Sequence, residues 1–192
     1  PIRGICARIP SFDARLGAME PVFVASFDSA IGPLRIASTR KGVAFLELPN
    51  ASGSGLAGWL QREGLQRTVR SGYAPNLDAI QQVLDYLAGK RADFDVPLDL
   101  RGTEFQREVW SALREIPYGE VRTYGDLARA VGRPLAVRAT GAANGANPVP
   151  ILVPCHRCVA AGARLGGYAG GRALKAKLLA LERDHAHRGS LL

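Results

Sequence analysis

An apolar run, Ile151-Leu152-Val153-Pro154, ends in Cys155-His156-Arg157-Cys158. A cysteine delivered beside a histidine and an arginine is a candidate nucleophile. Neighbouring positive charge and hydrogen-bond donors lower a thiol's pKa, and the thiolate is the reactive form. The same four residues admit other chemistry. Burial as an inert side chain is the commoner fate of a lone cysteine. Cys155-x-x-Cys158 fits a dithiol redox motif, although no strand–CxxC–helix unit surrounds it. Cys155, His156, Cys158 and the distant His185 or His187 are metal-ligand types, but in a spacing that no usual zinc finger has. We expect no metal and no cofactor. With Cys6 the chain has 3 cysteines, too few for a disulfide framework.

The elements that must position this segment are legible on either side of it. Gly102-Thr103-Glu104-Phe105-Gln106 opens a helix, with Thr103 and Gln106 as a capping box. Phe105, Val109, Trp110, Leu113 and Ile116 form its buried face. Thr123 caps a short helix to about Val131, stopped by Gly132. Pro134 suits the first turn of the next, which carries Arg138 and many small residues to Asn144. Two short helices joined by a glycine-containing turn make a helix-turn-helix pattern.

Upstream, Val22–Asp28, Leu34–Thr39 and Val43–Leu48 read as an antiparallel meander, punctuated by Gly32-Pro33 and Lys41-Gly42. Leu56–Glu63 and Leu77–Leu87 have helical apolar spacing, with Asn76 as cap and Gly89 as stop for the second. No residue of this half reads as catalytic.

The fold class expected is α+β: a small N-terminal antiparallel sheet domain with helices, then a mostly helical C-terminal domain containing the helix-turn-helix. The divisions are 1–18, a flexible extension; 19–96, the N-terminal domain; 97–102, a linker; 103–184, the C-terminal domain; and 185–192, a tail. The 192 residues, 47% hydrophobic and 22% charged, have an ordinary soluble composition. No apolar run approaches the ~20 residues of a membrane span, so a cytoplasmic protein is expected. Net charge is +8, of which +7 falls in residues 101–192. An excess confined to one half suits a polyanionic partner, and suits simple solubility equally well.

From Gly102 to Glu182 the chain closely resembles the O6-alkylguanine-DNA alkyltransferases, or methylated-DNA–protein-cysteine methyltransferases. The matching pieces, in order, are Gly102-Thr103-x-Phe105-Gln106, Val109-Trp110, Ile116-Pro117-Tyr118-Gly119-Glu120 and Thr123-Tyr124-Gly125. Arg138-Ala139-x-Gly141, Asn147-Pro148 and Pro154-Cys155-His156-Arg157 follow. Gly166-Gly167-Tyr168-x-Gly170-Gly171, Lys175 and Leu178-Leu179-x-x-Glu182 complete the series. The first half resembles the family's smaller N-terminal domain in layout only.

The resemblance implies single-turnover repair by direct reversal. The partner would be double-stranded DNA containing O6-alkylguanine, with O4-alkylthymine as a second substrate, and the protein would be a monomer bound in the minor groove. Cys155 would accept the alkyl group, His156 would take the thiol proton through a water, and Glu182 would orient that histidine. Asn147 would fix the segment, and Tyr124 would contact the flipped nucleotide and help protonate the leaving guanine. Arg138 would fill the place of the extruded base, with Thr123, Ala136, Ala139 and Asn144 also at the DNA. Pro150, Cys158, Gly167, Tyr168 and Ala169 would wall the base pocket. A base inside a duplex is out of reach, so extrusion costs a few kcal/mol, and a filled stack recovers part of that.

Three positions depart from the family pattern: Cys158 stands where Val or Ile is usual, Thr140 where Val is usual, and Ala169 where some members have Ser. They bear on substrate range. A non-catalytic alkyltransferase-like damage binder is the runner-up, and Cys155 argues against it because such proteins lack the acceptor cysteine.

Overall fold

The structure, a computed structural model, describes residues 20–51 and 53–189. The expected extension 1–18, with Cys6, and residues 190–192 lie outside that range. Strands β1 (Val22–Phe27), β2 (Leu34–Thr39) and β3 (Gly42–Glu47) form the meander. A fourth strand, β4 (Val69–Ser71), departs from the purely antiparallel expectation by pairing in parallel with β1, giving the order β3-β2-β1-β4. It is three residues long and largely exposed, so it offers no alternation to read.

Both faces of the sheet are covered, which is why β2 is buried at Ile36 and at Ala37 alike. Helix α1 (Gly55–Arg62) brings Leu56, Trp59 and Leu60 onto Val22, Ala37 and Ala44. Helix α2 (Leu77–Leu87) brings Ile80, Val83, Tyr86 and Leu87 to the opposite face, beside Leu34, Ile36 and Leu46. Each such side chain contributes roughly 1.5–3 kcal/mol by leaving water. Asn76 precedes α2 but does not cap it with its side chain. Its amide is fully buried and accepts from Ser38 Oγ at 2.6 Å. The same amide donates to the carbonyls of Phe23 and Gly72. These long-range bonds outcompete the local cap.

The expected linker 97–102 is tied to the sheet. Val43 N–H donates to Pro97 O, and Asp99 N–H to Val43 O, both at 2.9 Å. Asp99 also accepts from Thr39 and pairs with Arg101.

In the second half, α3 (Glu104–Arg114) opens on the expected Thr103–Gln106 capping box. Helix α4 (Tyr124–Ala130) opens on another, Thr123–Asp126. Helix α5 (Val137–Gly145) starts later than Pro134. Ala136 N–H donates to Arg133 O at 2.9 Å, so the proline sits in the preceding turn. Trp110 Nε1 on α3 donates to Ala143 O on α5 at 2.8 Å, holding the pair of short helices against α3. Two-residue strands β5 (Arg122–Thr123) and β6 (Cys158–Val159) pair in parallel beside Cys155. Helix α6 (Arg172–Gly189) runs on through residues 185–189 of the expected tail.

One apolar core runs through both halves, from Leu34 and Tyr86 to Trp110, Ile151 and Leu178. The backbone joins them as well, since Leu46 N–H donates to Pro148 O at 2.8 Å. Among the described residues no helix is long and apolar enough to cross a membrane.

Candidate active site

Cys155 is held by a strained, clamped segment. Ile151 has φ 75°, an uncommon conformation for a β-branched residue, and it is fully buried. Asn147 supplies the constraint: its Nδ2 donates to Val153 O at 2.8 Å and its Oδ1 accepts from Val149 N–H at 3.0 Å. Pro154, at φ −78° and ψ 60°, makes an inverse γ-turn closed by Cys155 N–H donating to Val153 O. Strain of this kind persists where surrounding structure over-determines it. Asn147→Ala leaves the Val149 N–H unpaired in the interior and takes from the Val153 carbonyl one of its two donors, the other being Cys155 N–H. We expect a loss of about 1–3 kcal/mol in denaturant melts, the cost of one orphaned buried group. A loss under ~1 kcal/mol would contradict the clamp.

Behind Cys155 lies a buried network centred on the Glu182 carboxylate. His156 and Glu182 are both fully buried, with Nε2 2.8 Å from Oε1. Arg157 meets the same carboxylate through Nε at 2.9 Å to Oε2 and Nη2 at 3.0 Å to Oε1, and donates through Nη1 to Ile116 O. Gly119 N–H donates to Oε2 at 3.0 Å. Gly119 has φ +81°, and a Cβ there would come within 2.8 Å of the Ala186 methyl, so glycine is what lets this amide reach the carboxylate. Tyr86, on α2 of the N-terminal half, donates its hydroxyl to Oε1 at 2.6 Å.

Burial and charge set the protonation states. Glu182 is penalised by burial, yet the His156 hydrogen bond and the Arg157 guanidinium outweigh that and hold its carboxyl at about 2. Burial lowers the His156 pKa despite Glu182, keeping the ring neutral. The ionised carboxylate accepts from Nε2–H, so the proton is assigned to Nε2 and the lone pair to Nδ1. Nδ1 is buried without a hydrogen-bond partner among the described residues. The expected lowering of the Cys155 pKa does not occur. Burial pushes the thiol up to about 11, against the pull of the Asn147 hydrogen bond and the Lys175 charge. A thiolate here needs a proton acceptor inside the protein.

Cys155 borders an open cavity of about 470 Å³, which Tyr124, Asn144, Asn147, Gly167, Tyr168 and Ala169 help to line. That size suits a small planar ligand. Gly166, at φ +67°, lets the loop pass over Tyr124, whose hydroxyl a Cβ would approach to 3.0 Å. Lys175, fully buried, donates to the carbonyls of Cys158 and Gly167 and so ties β6 to this loop.

The arrangement has close counterparts. The family model described as 6-O-methylguanine DNA methyltransferase, DNA binding domain, matches residues 104–184. A methylated-DNA–protein-cysteine methyltransferase of Methanosarcina acetivorans is 41% identical over 170 residues, spanning 84% of this chain and 98% of that one. The chain belongs to the methylated-DNA–protein-cysteine methyltransferase family. The methyltransferase of the same name from Mycobacterium tuberculosis H37Rv is 43% identical over 165 residues, covering 84% of this chain and 92% of the relative. A crystal structure of M. tuberculosis OGT in complex with DNA superposes with a TM-score of 0.75. It is 40% identical and covers 85% of this chain and 94% of that one.

In this methyltransferase several expected site residues meet at the cavity: Cys155, Asn147, Tyr124, Gly167, Tyr168 and Ala169, with His156 and Glu182 behind. Two do not border it. Pro150 faces a neighbouring groove of about 580 Å³ between the halves, its backbone committed to a bridge with Val153. Cys158 is fully buried and offers its carbonyl to Lys175. Of the residues expected at DNA, Arg138 and Ala139 are exposed and Ala136 half-buried. Thr123 spends its hydroxyl on the α4 cap, and Asn144 is buried toward the cavity. Arg157 has its place in the network announced by its adjacency to His156, whereas Tyr86 on α2 is not singled out by the sequence at all.

Proposed function

We propose that Cys155 accepts the alkyl group from O6-alkylguanine in double-stranded DNA, once per protein molecule. The observation that carries this reading is a buried cysteine opening on a base-sized cavity, backed by a neutral histidine whose other nitrogen is held by an ionised carboxylate. In the reaction the Cys155 sulfur bonds to the alkyl carbon and the bond from that carbon to guanine O6 breaks. The thiol proton passes to His156 Nδ1 through an intervening water, and Glu182 stabilises the imidazolium. The electron pair left on guanine is neutralised by a proton from the Tyr124 hydroxyl, and the phenolate is at once reprotonated by water reaching the open cavity. Burial raises the pKa of that hydroxyl, so it stays protonated. The thioether is stable, and the protein is spent. The workplace is the cytoplasm, where Cys155 and Cys158 would persist as free thiols.

Arg138, exposed on α5, enters the duplex from the minor groove in place of the extruded base. Arg138→Ala is expected to slow repair of duplex O6-methylguanine at least ten-fold more than reaction with free O6-benzylguanine, which needs no extrusion. Equal losses on both would remove the arginine from this role. The function itself is tested by incubating excess protein with a duplex holding one O6-methylguanine and digesting the DNA to nucleosides. The modified nucleoside should be replaced by 2′-deoxyguanosine in stoichiometric amount. Its persistence would overturn the proposal.

A further inference from the structure

We propose that Tyr86 is a positioning residue for the transfer reaction, its hydroxyl fixing the Glu182 oxygen that faces His156. The inference rests on the reaction proposed above and assigns a part in it to the N-terminal half.

The geometry is specific. The Tyr86 side chain is fully buried, its hydroxyl 2.6 Å from Glu182 Oε1 and 3.2 Å from His156 Nε2. Nε2 lies 2.8 Å from that same oxygen, so the three groups form a closed triangle. The phenol has one proton to give, and burial beside Glu182 keeps it on the oxygen. It therefore donates to Oε1, which also accepts from His156 Nε2–H and from Arg157 Nη2–H.

A buried tyrosine usually finds some partner for its hydroxyl, and packing alone is the plainer account of Tyr86. Packing accounts for the ring, which lies 5.3 Å from Phe94 and 6.0 Å from Tyr118 between centroids. A phenylalanine would meet those contacts equally well. The hydroxyl is what packing leaves unexplained, and its partner is a carboxylate 96 residues away that also holds the base of the reaction.

The chemical consequence follows from counting donors. Each hydrogen bond to a carboxylate oxygen spreads its charge and makes it a weaker acceptor. With Tyr86 in place, Oε1 holds Nε2–H without drawing the proton fully across, so His156 keeps both protons once it has taken one from the thiol. The charged and titratable groups facing His156 are Glu182 and Lys175 from α6, Arg157 and Cys155 from its own turn, Tyr168 from the preceding loop, and Tyr86 from α2. Arg157 and Lys175 oppose protonation of the ring and Glu182 favours it. Removing the Tyr86 hydroxyl strengthens the Glu182 contribution alone and moves the His156 titration upward.

The test uses full-length Tyr86→Phe with two readouts. The first is the His156 imidazole titration followed by NMR, which needs no DNA. The second is the single-turnover rate on duplex O6-methylguanine at saturating DNA, measured across pH. We expect the titration to rise by roughly half a pH unit or more. The rate should fall about ten-fold, its pH profile moving the same way and DNA affinity unchanged. Val83→Ala, one turn earlier on α2 and fully buried, serves as the packing control and should leave the titration in place. The proposal is overturned if Tyr86→Phe leaves titration and profile where they were, or if Val83→Ala moves them as far. Should wild-type protein transfer nothing, the proposed function fails, while the titration still decides whether Tyr86 acts on His156.

Discussion

Glu182→Gln is expected to cost the protein both stability and repair. The carboxylate is the common acceptor for Tyr86, His156, Arg157 and the Gly119 amide. Glutamine keeps the volume but turns one oxygen into a donor, and it leaves Arg157 as an uncompensated buried charge. Breaking a buried pair in this way costs about 3–5 kcal/mol. The pH dependence should change in the same variant. The Glu182 pKa falls from 4.5 to about 2 on folding. Its stabilisation, roughly 3 kcal/mol, is thus fully present above about pH 4.5 and is lost as pH falls toward 2. The acid limb of the wild-type stability curve should accordingly be steeper than that of the variant. Transfer should slow by on the order of 10²–10³-fold at temperatures where the variant is folded, because the imidazolium loses its counter-charge. Melts within ~1 kcal/mol of wild type, or a rate within a few-fold, would show that the network does not serve the thiol.

Much of this site is legible in the sequence because its chemistry lies in adjacent or locally patterned residues. Cys155 and His156 are neighbours, and the Thr103–Gln106 capping box and the Thr123 cap are local signals. What could not be read depends on distance. Asn76 reads as a helix cap, yet its amide is drawn to Ser38 and Phe23 across the sheet. Tyr86 continues the buried face of Val83 on α2, and nothing local marks its hydroxyl for α6. The Cys155 thiol shift also eludes the sequence. His156 and Arg157 suggest a lowered value, but the outcome is decided by how completely the fold excludes water from the sulfur. Strand β4 is invisible for the opposite reason, being too short and exposed to carry a pattern.

Cys155→Ser is expected to abolish transfer while leaving DNA binding intact. The side chain is buried at the cavity wall and the substitution alters no exposed residue of α5, so the duplex contacts survive the change. A serine hydroxyl is a far weaker acid and a poorer nucleophile toward an alkyl carbon than a thiol, for which His156 is the proposed base. No other described residue places a nucleophile at the cavity wall with such a base behind it. Cys158, buried behind the wall, should not substitute. The most direct test is mass analysis of the intact protein, then of its peptides, after incubation with duplex DNA holding O6-methylguanine. One added methyl group is expected, on the peptide containing Cys155 and on the sulfur of that residue, and none in Cys155→Ser. A methyl group on any other residue, or undiminished methylation of the serine variant, would contradict it.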